Sequence, residues 1–90
     1  MLKGRVTINN RLGLHARAAA QLVRLASSFQ SKIKLLRTDN SVIADAKSIL
    51  SVLTLAASKG VELEIEIEGD DEQMAFEAIQ EIFRNGFGEL

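Results

Sequence analysis

Apolar and polar residues alternate over residues 2–8, with Leu2, Gly4, Val6 and Ile8 on one side and Lys3, Arg5 and Thr7 on the other. A period of two is that of a strand with one buried face. Asn9, Asn10, Arg11, Leu12 and Gly13 break the alternation with turn-forming residues. From about residue 16 to residue 28 the spacing becomes helical. Ala19, Leu22, Val23, Ala26 and Phe29 share one stripe, and Arg17, Gln21 and Arg24 the opposite one. Residues 32–37 predict a second strand with Ile33 and Leu35 inward, residues 38–41 a turn, and residues 42–44 a short third strand. Residues 47–57 predict a second helix. Val61, Leu63, Ile65 and Ile67 then alternate strictly with Glu62, Glu64, Glu66 and Glu68, the clearest strand in the chain. Gly69, Asp70 and Asp71 predict a turn and helix cap, since a helix start favours acidic groups. Met74, Ala75, Ala78, Ile79, Ile82 and Phe83 form the apolar face of the last helix, which stops at Asn85-Gly86.

The order β-α-β-β-α-β-α predicts an α+β fold, an open-faced β-sandwich: a four-stranded antiparallel sheet with three helices covering one face. Four glutamates on one strand face repel one another unless their cross-strand neighbours are cations. Lys3 and Arg5 of the first strand and Lys32 and Lys34 of the second are the candidates. The fourth strand is therefore expected in the middle, between the first and the second. Its charged face reads as scaffold.

Charge is unevenly spread along the chain. Residues 1–47 hold nine of the 11 basic groups and only two acids, Asp39 and Asp45, whereas residues 48–90 hold ten of the 12 acids. Ninety residues suit one domain spanning residues 1–90, with little room for a deep pocket. The absence of cysteine excludes disulfides, thiolate metal sites and a cysteine nucleophile. With no metal-ligand cluster and no paired catalytic carboxylates evident, neither a metal nor a cofactor is expected. There is no membrane-length apolar run, and the charged start does not resemble a signal peptide, so a cytoplasmic protein without membrane insertion is expected. Glutamates on the open face, with no aromatics among them, argue against nucleic acid as a partner.

His15 is the only imidazole. A lone histidine in a small domain is most often a surface or capping residue. This one lies between a glycine-containing loop and the first helix, beside amides that a helix start leaves unpaired and that favour an anion. Arg17 follows with a guanidinium suited to phosphate. A nucleophilic nitrogen beside a ready-made anion site is what a phosphoryl acceptor needs.

The run Gly13-Leu14-His15-Ala16-Arg17, with Lys47-Ser48-Ile49 downstream, resembles the HPr family of phosphocarrier proteins of the bacterial phosphoenolpyruvate-dependent phosphotransferase system. The resemblance covers nearly the whole chain. It implies that Nδ1 of His15 accepts a phosphoryl group from phosphorylated enzyme I and passes it to a histidine of an enzyme IIA domain. It implies that Arg17 and the backbone amides of Ala16 and Arg17 stabilise that group. Such a carrier forms a phosphohistidine without autonomous turnover, and a monomer is expected.

Ser48 begins the predicted second helix, where a serine serves ordinarily as an N-cap. In relatives with an HPr kinase/phosphorylase partner, the matching serine is a regulatory phosphorylation site. Here Ser51 stands where a glycine is usual, and Leu50 and Leu53 where methionines are usual. Ala18 occupies a position that is often proline. The resemblance places Leu50 and Leu53 near His15 in an apolar docking patch. Ile49 is a further candidate for it, with Ala16 and Ala20 allowing close approach and Arg24 and Lys47 as a basic rim. The competing reading is a regulatory HPr-like module that acts by partner docking and Ser48 phosphorylation alone.

Overall fold

The computed structural model describes residues 1–89. Strand β1 (Leu2–Thr7), helix α1 (Ala16–Ser27), strands β2 (Lys32–Arg37) and β3 (Ile43–Asp45), helix α2 (Ile49–Leu53), strand β4 (Glu62–Glu68) and helix α3 (Glu72–Arg84) follow in the predicted order. A 3-10 turn, Gly86–Gly88, comes after α3. The sheet order is β1-β4-β2-β3 and every pairing is antiparallel. The glutamate-rich strand is central, as its charge demands. Glu66 faces Lys3 on one side and Lys34 on the other, and Lys34 faces Asp45, so a row of alternating charge crosses all four strands. Glu64 faces Arg5, and Glu68 faces Lys32. Exposed pairs of this kind contribute little each. Their value lies in register, because a slip of one residue turns glutamates towards the core.

The opposite sheet face is apolar. Leu63, Ile65, Ile67 and Leu35 have no exposed surface, and they pack with Leu22 and three alanines of α1 (Ala18, Ala19 and Ala26) and with Ala75, Ile79 and Phe83 of α3. The alanines let α1 pack closely against its neighbours α2 and α3. Helix α3 crosses β1 so closely that a Cβ on Gly4 would come 2.5 Å from the ring of Phe76. Met74, assigned by periodicity to the inward face of α3, is 68% exposed. It lies in the first turn of α3. Phe76 instead makes contact with β1.

Helix α2 is much shorter than the expected residues 47–57. It stops at Leu53 because both Leu55 and Ala57 turn into the core, which a continuing helix would not allow. Ala56 between them adopts a left-handed φ of 47°. The Arg37 guanidinium donates to the carbonyls of Leu55 and Ala56, at 2.9 and 3.1 Å, and so satisfies groups the aborted helix leaves open.

Asp71 precedes α3 as expected, but its carboxylate does not cap that helix. It accepts instead from the backbone N–H groups of Gln30 and Ser31, at 2.8 and 3.0 Å, and from the Ser31 hydroxyl. The α1–β2 connection is thereby tied to the start of α3. The Ser31 hydroxyl, followed by the Gln30 amide, holds the Asp71 carboxyl below its ordinary value. A depressed folded-state pKa gives stability that is present above about pH 4 and lost as pH falls through the folded value. Asp71→Asn is accordingly expected to lower Tm at pH 7, with the difference from the parent protein shrinking as pH approaches 2. Thermal unfolding across that range checks it; a difference independent of pH would contradict the assignment.

Candidate functional site

The site begins at Gly13, whose φ of +66° is one that L side chains rarely adopt. A Cβ there would lie 2.5 Å from the carbonyl oxygen of Ala57. This close approach lets the Leu14 N–H donate to that same carbonyl at 2.9 Å, while the Leu14 side chain is buried. The segment that ends α2 thus fixes the loop that starts α1.

His15 is the N-cap residue of α1, with extended backbone. Its carbonyl accepts from the Ala19 N–H at 2.8 Å, and its ring makes no capping hydrogen bond. Among the described residues no acceptor claims the amides of Ala16 and Arg17. No acidic side chain occupies the helix's first turn either, so the helix start keeps its positive character. The His15 side chain is 25% exposed and that of Arg17 72% exposed. A half-buried imidazole, an exposed guanidinium and two unclaimed N–H groups together form a place for a small anion beside a nucleophilic nitrogen.

The remaining candidate residues fall into two groups. Ala16 and Arg24 are exposed and Ala20 is half-buried on α1. On α2, Ile49, Leu50 and Leu53 are 39%, 76% and 37% exposed, while Val52 alone is buried. Helix α2 packs against α1, so this apolar surface lies beside it. Lys47 is placed differently from expectation. Its ammonium donates to the carbonyl of Phe29 at 2.7 Å, beyond the C-terminal end of α1. Twelve residues of helix, about 18 Å, separate that end from His15. Lys47 is held there because carbonyls at a helix end attract cations, so its ammonium is engaged within the fold rather than free at the rim of the docking patch.

Ser48 is half-buried and caps α2, its hydroxyl accepting from the Ser51 N–H at 3.3 Å. The Ser51 hydroxyl in turn accepts from the Asp45 N–H at 2.9 Å. The serine that replaces a usual glycine thus joins the turn that presents Ser48.

The structure adds residues that sequence patterns did not single out. Oε2 of Glu89 lies 2.7 Å from Nε2 of His15 and 3.7 Å from Nε of Arg17. Its other oxygen accepts from Nδ2 of Asn10 at 2.9 Å. Glu89, Arg17, Arg11 and Leu12 line an open cleft of about 360 Å³. The amide of Asn10 is the largest cause holding the Glu89 carboxyl below its usual value. Burial opposes it, and the hydrogen bond and charge of His15 and the charge of Arg17 support it. The one sequence signal for this was the run Gly86-Phe87-Gly88 after the last helix, a pattern that marks a structured turn rather than a frayed tail.

A family model described as the PTS HPr component phosphorylation site matches residues 2–85. The chain belongs to the HPr family. It is 46% identical over 89 residues to the phosphocarrier protein HPr of Xylella fastidiosa strain Temecula1, covering 99% of this chain and 98% of that one. It is 47% identical over 89 residues to the HPr of Cupriavidus necator, with the same coverage. The crystal structure of HPr-C-His from Thermoanaerobacter tengcongensis superimposes with a TM-score of 0.93 at 37% identity, over 100% of this chain and 99% of that one. The four-stranded open sheet with three helices is the fold these HPr relatives share, and the chain is a phosphocarrier of the phosphotransferase system. Glu89 lies beyond the span of the family model. Among the described residues no helix is long and apolar enough to cross a membrane, and no cluster of three or more metal-ligating side chains occurs.

Proposed function

We propose that His15 is the residue phosphorylated in this chain, that Nδ1 takes the phosphoryl group from phosphorylated enzyme I, and that it passes the group to a histidine of an enzyme IIA domain. The observation that carries this reading is the placement of a partly exposed imidazole at the N-cap of α1, with the Ala16 and Arg17 amides unclaimed beside it. The lone pair of Nδ1 attacks phosphorus as the bond to the donor breaks, and the donor keeps that electron pair. Three equatorial oxygens carry the charge through the transfer. Backbone N–H groups and Arg17 offset it, so catalysis reduces to positioning and electrostatics.

Apolar surface on Ile49, Leu50 and Leu53, flanked by Arg17 and Arg24, suits brief docking to acidic partners that share an apolar contact. Incubation with enzyme I and phosphoenolpyruvate, followed by site mapping, tests the reading. One acid-labile phosphate on His15 is expected, transferable onward to an enzyme IIA domain.

A second site is proposed at Ser48. Its hydroxyl already faces the first amides of α2, where phosphate is electrostatically tolerated. With an HPr kinase/phosphorylase, an acid-stable phosphate is expected on Ser48, together with slower uptake from enzyme I, because negative charge then sits beside the docking patch. Modification confined to other residues would rule this out.

A further inference from the structure

Phosphoryl transfer as proposed needs one bare ring nitrogen on His15, and the turn after α3 is folded against the other one. Phe87 is 4% exposed and packs edge-on against Phe83, with ring centroids 5.2 Å apart. It anchors the turn although its φ of 56° is unusual for a side chain of that size. The anchored turn delivers Glu89, whose side chain is only 18% exposed. Asn10 receives it. This asparagine is 1% exposed, and its Nδ2 donates both to the carbonyl of Gly13 and to Oε1 of Glu89, each at 2.9 Å. One buried amide therefore joins the loop before His15 to the carboxylate beside its ring.

We propose that Asn10 and Glu89 are positioning residues that select the tautomer of His15, holding its hydrogen on Nε2 and leaving Nδ1 as the nucleophile. A carboxylate can only accept, so a 2.7 Å contact from its oxygen to Nε2 requires a hydrogen on that nitrogen. In neutral imidazole the other nitrogen then carries the lone pair. Glu89 stays ionised at neutral pH because the Asn10 amide, the ring N–H of His15 and the Arg17 guanidinium favour its charged form.

The inference rests on the carrier reading and extends it. When the N–P bond forms at Nδ1, the donor keeps the electrons of the bond that breaks. Nε2 retains its hydrogen, and the ring gains a formal positive charge facing Glu89. No proton changes hands. Arg17, lying 3.7 Å from the same carboxylate oxygen, is exposed enough to turn from Glu89 to the phosphoryl group.

Ring-nitrogen NMR of the 15N-labelled full chain, recorded on the neutral ring, tests this. The parent protein is expected to show Nδ1 at the lone-pair position and Nε2 at the N–H position. Glu89→Leu removes both acceptor and charge, so both signals should shift towards the mixed values of free imidazole. Phosphoryl uptake from enzyme I should slow roughly ten- to a hundredfold, the scale of losing one charged hydrogen bond. Glu89→Gln keeps one acceptor oxygen, which the Asn10 amide N–H claims. Its own NH2 then faces Nε2 and should move the hydrogen towards Nδ1, with uptake slowed at least as much as in Glu89→Leu. Asn10→Leu should move the nitrogens in the same direction as Glu89→Leu. Should its buried substitution prevent folding, the half-buried Glu89 variants decide alone. Unchanged nitrogen shifts in Glu89→Leu, or a hydrogen on Nδ1 in the parent protein, would overturn the proposal. Failure of the parent protein to accept phosphate would overturn the carrier reading instead, and the two failures appear in different measurements.

Discussion

His15→Ala takes up no acid-labile phosphate from enzyme I and phosphoenolpyruvate. The loss is complete because the chain contains no second imidazole and no thiol to act as acceptor. The fold is expected to survive. The ring is partly exposed and caps nothing, so its removal costs mainly the contact with Glu89, about 1–2 kcal/mol. A circular-dichroism melt separates lost chemistry from lost structure. Arg17→Ala belongs beside it as a graded comparison: its exposed guanidinium adds little to stability, and its removal should slow uptake by roughly tenfold or more without abolishing it. Labile phosphate on any other residue of His15→Ala would end the assignment. Acid-stable phosphate on Ser48 would not, since that ester survives the acid step in which a phosphohistidine is lost.

Gly13→Ala should damage stability and transfer together. The left-handed backbone at this position costs a residue with a side chain about 1–2 kcal/mol. The new Cβ would also meet a backbone carbonyl at 2.5 Å, an overlap of the kind that costs about 1–3 kcal/mol. A combined loss of about 2–5 kcal/mol corresponds to a fall in Tm of roughly 10–40 °C for a domain this size. Relief of the clash moves Ala57 and the Leu14 N–H apart, and the loop shifts just before His15. Transfer should therefore slow even at temperatures where the variant is folded. Gly60→Ala is the control, because Gly60 has a φ of +92° and a Cβ added there would meet nothing within 4 Å. It carries the backbone cost alone. If the two variants melt together and transfer at the same rate, the contact between Gly13 and Ala57 does not organise the site.

Much of the architecture was legible because the burial signal is local. The strict alternation of residues 61–68 identifies a strand without any knowledge of its neighbours, and the charges on its outer face choose those neighbours. Helices α1 and α3 were likewise readable from spacing. Helix α2 was overextended because Leu55 and Ala57 look helical in sequence, while their burial requires the chain to turn. Met74 misled in the same way: periodicity assigns a face, but not which of its residues the fold covers. Lys47 looked available for docking, since sequence spacing does not show which backbone carbonyl folds against its ammonium. The carbonyl that holds it belongs to Phe29, 18 residues away.

The order of elements, the central place of β4, and the pairing of His15 with a helix start and Arg17 were present in the chain's own pattern. Each depends on residues a few positions apart or on the sign of charge along a strand. The tie between Gly13 and Ala57, the anchoring of Lys47, and the approach of Asn10 and Glu89 to the imidazole were settled by folding. Glu89 and His15 are 74 positions apart, and no periodicity links them. They meet because Phe87 is buried against Phe83 and carries Glu89, two residues on, to the site. A contact made by packing between distant segments leaves no trace in the spacing of either one.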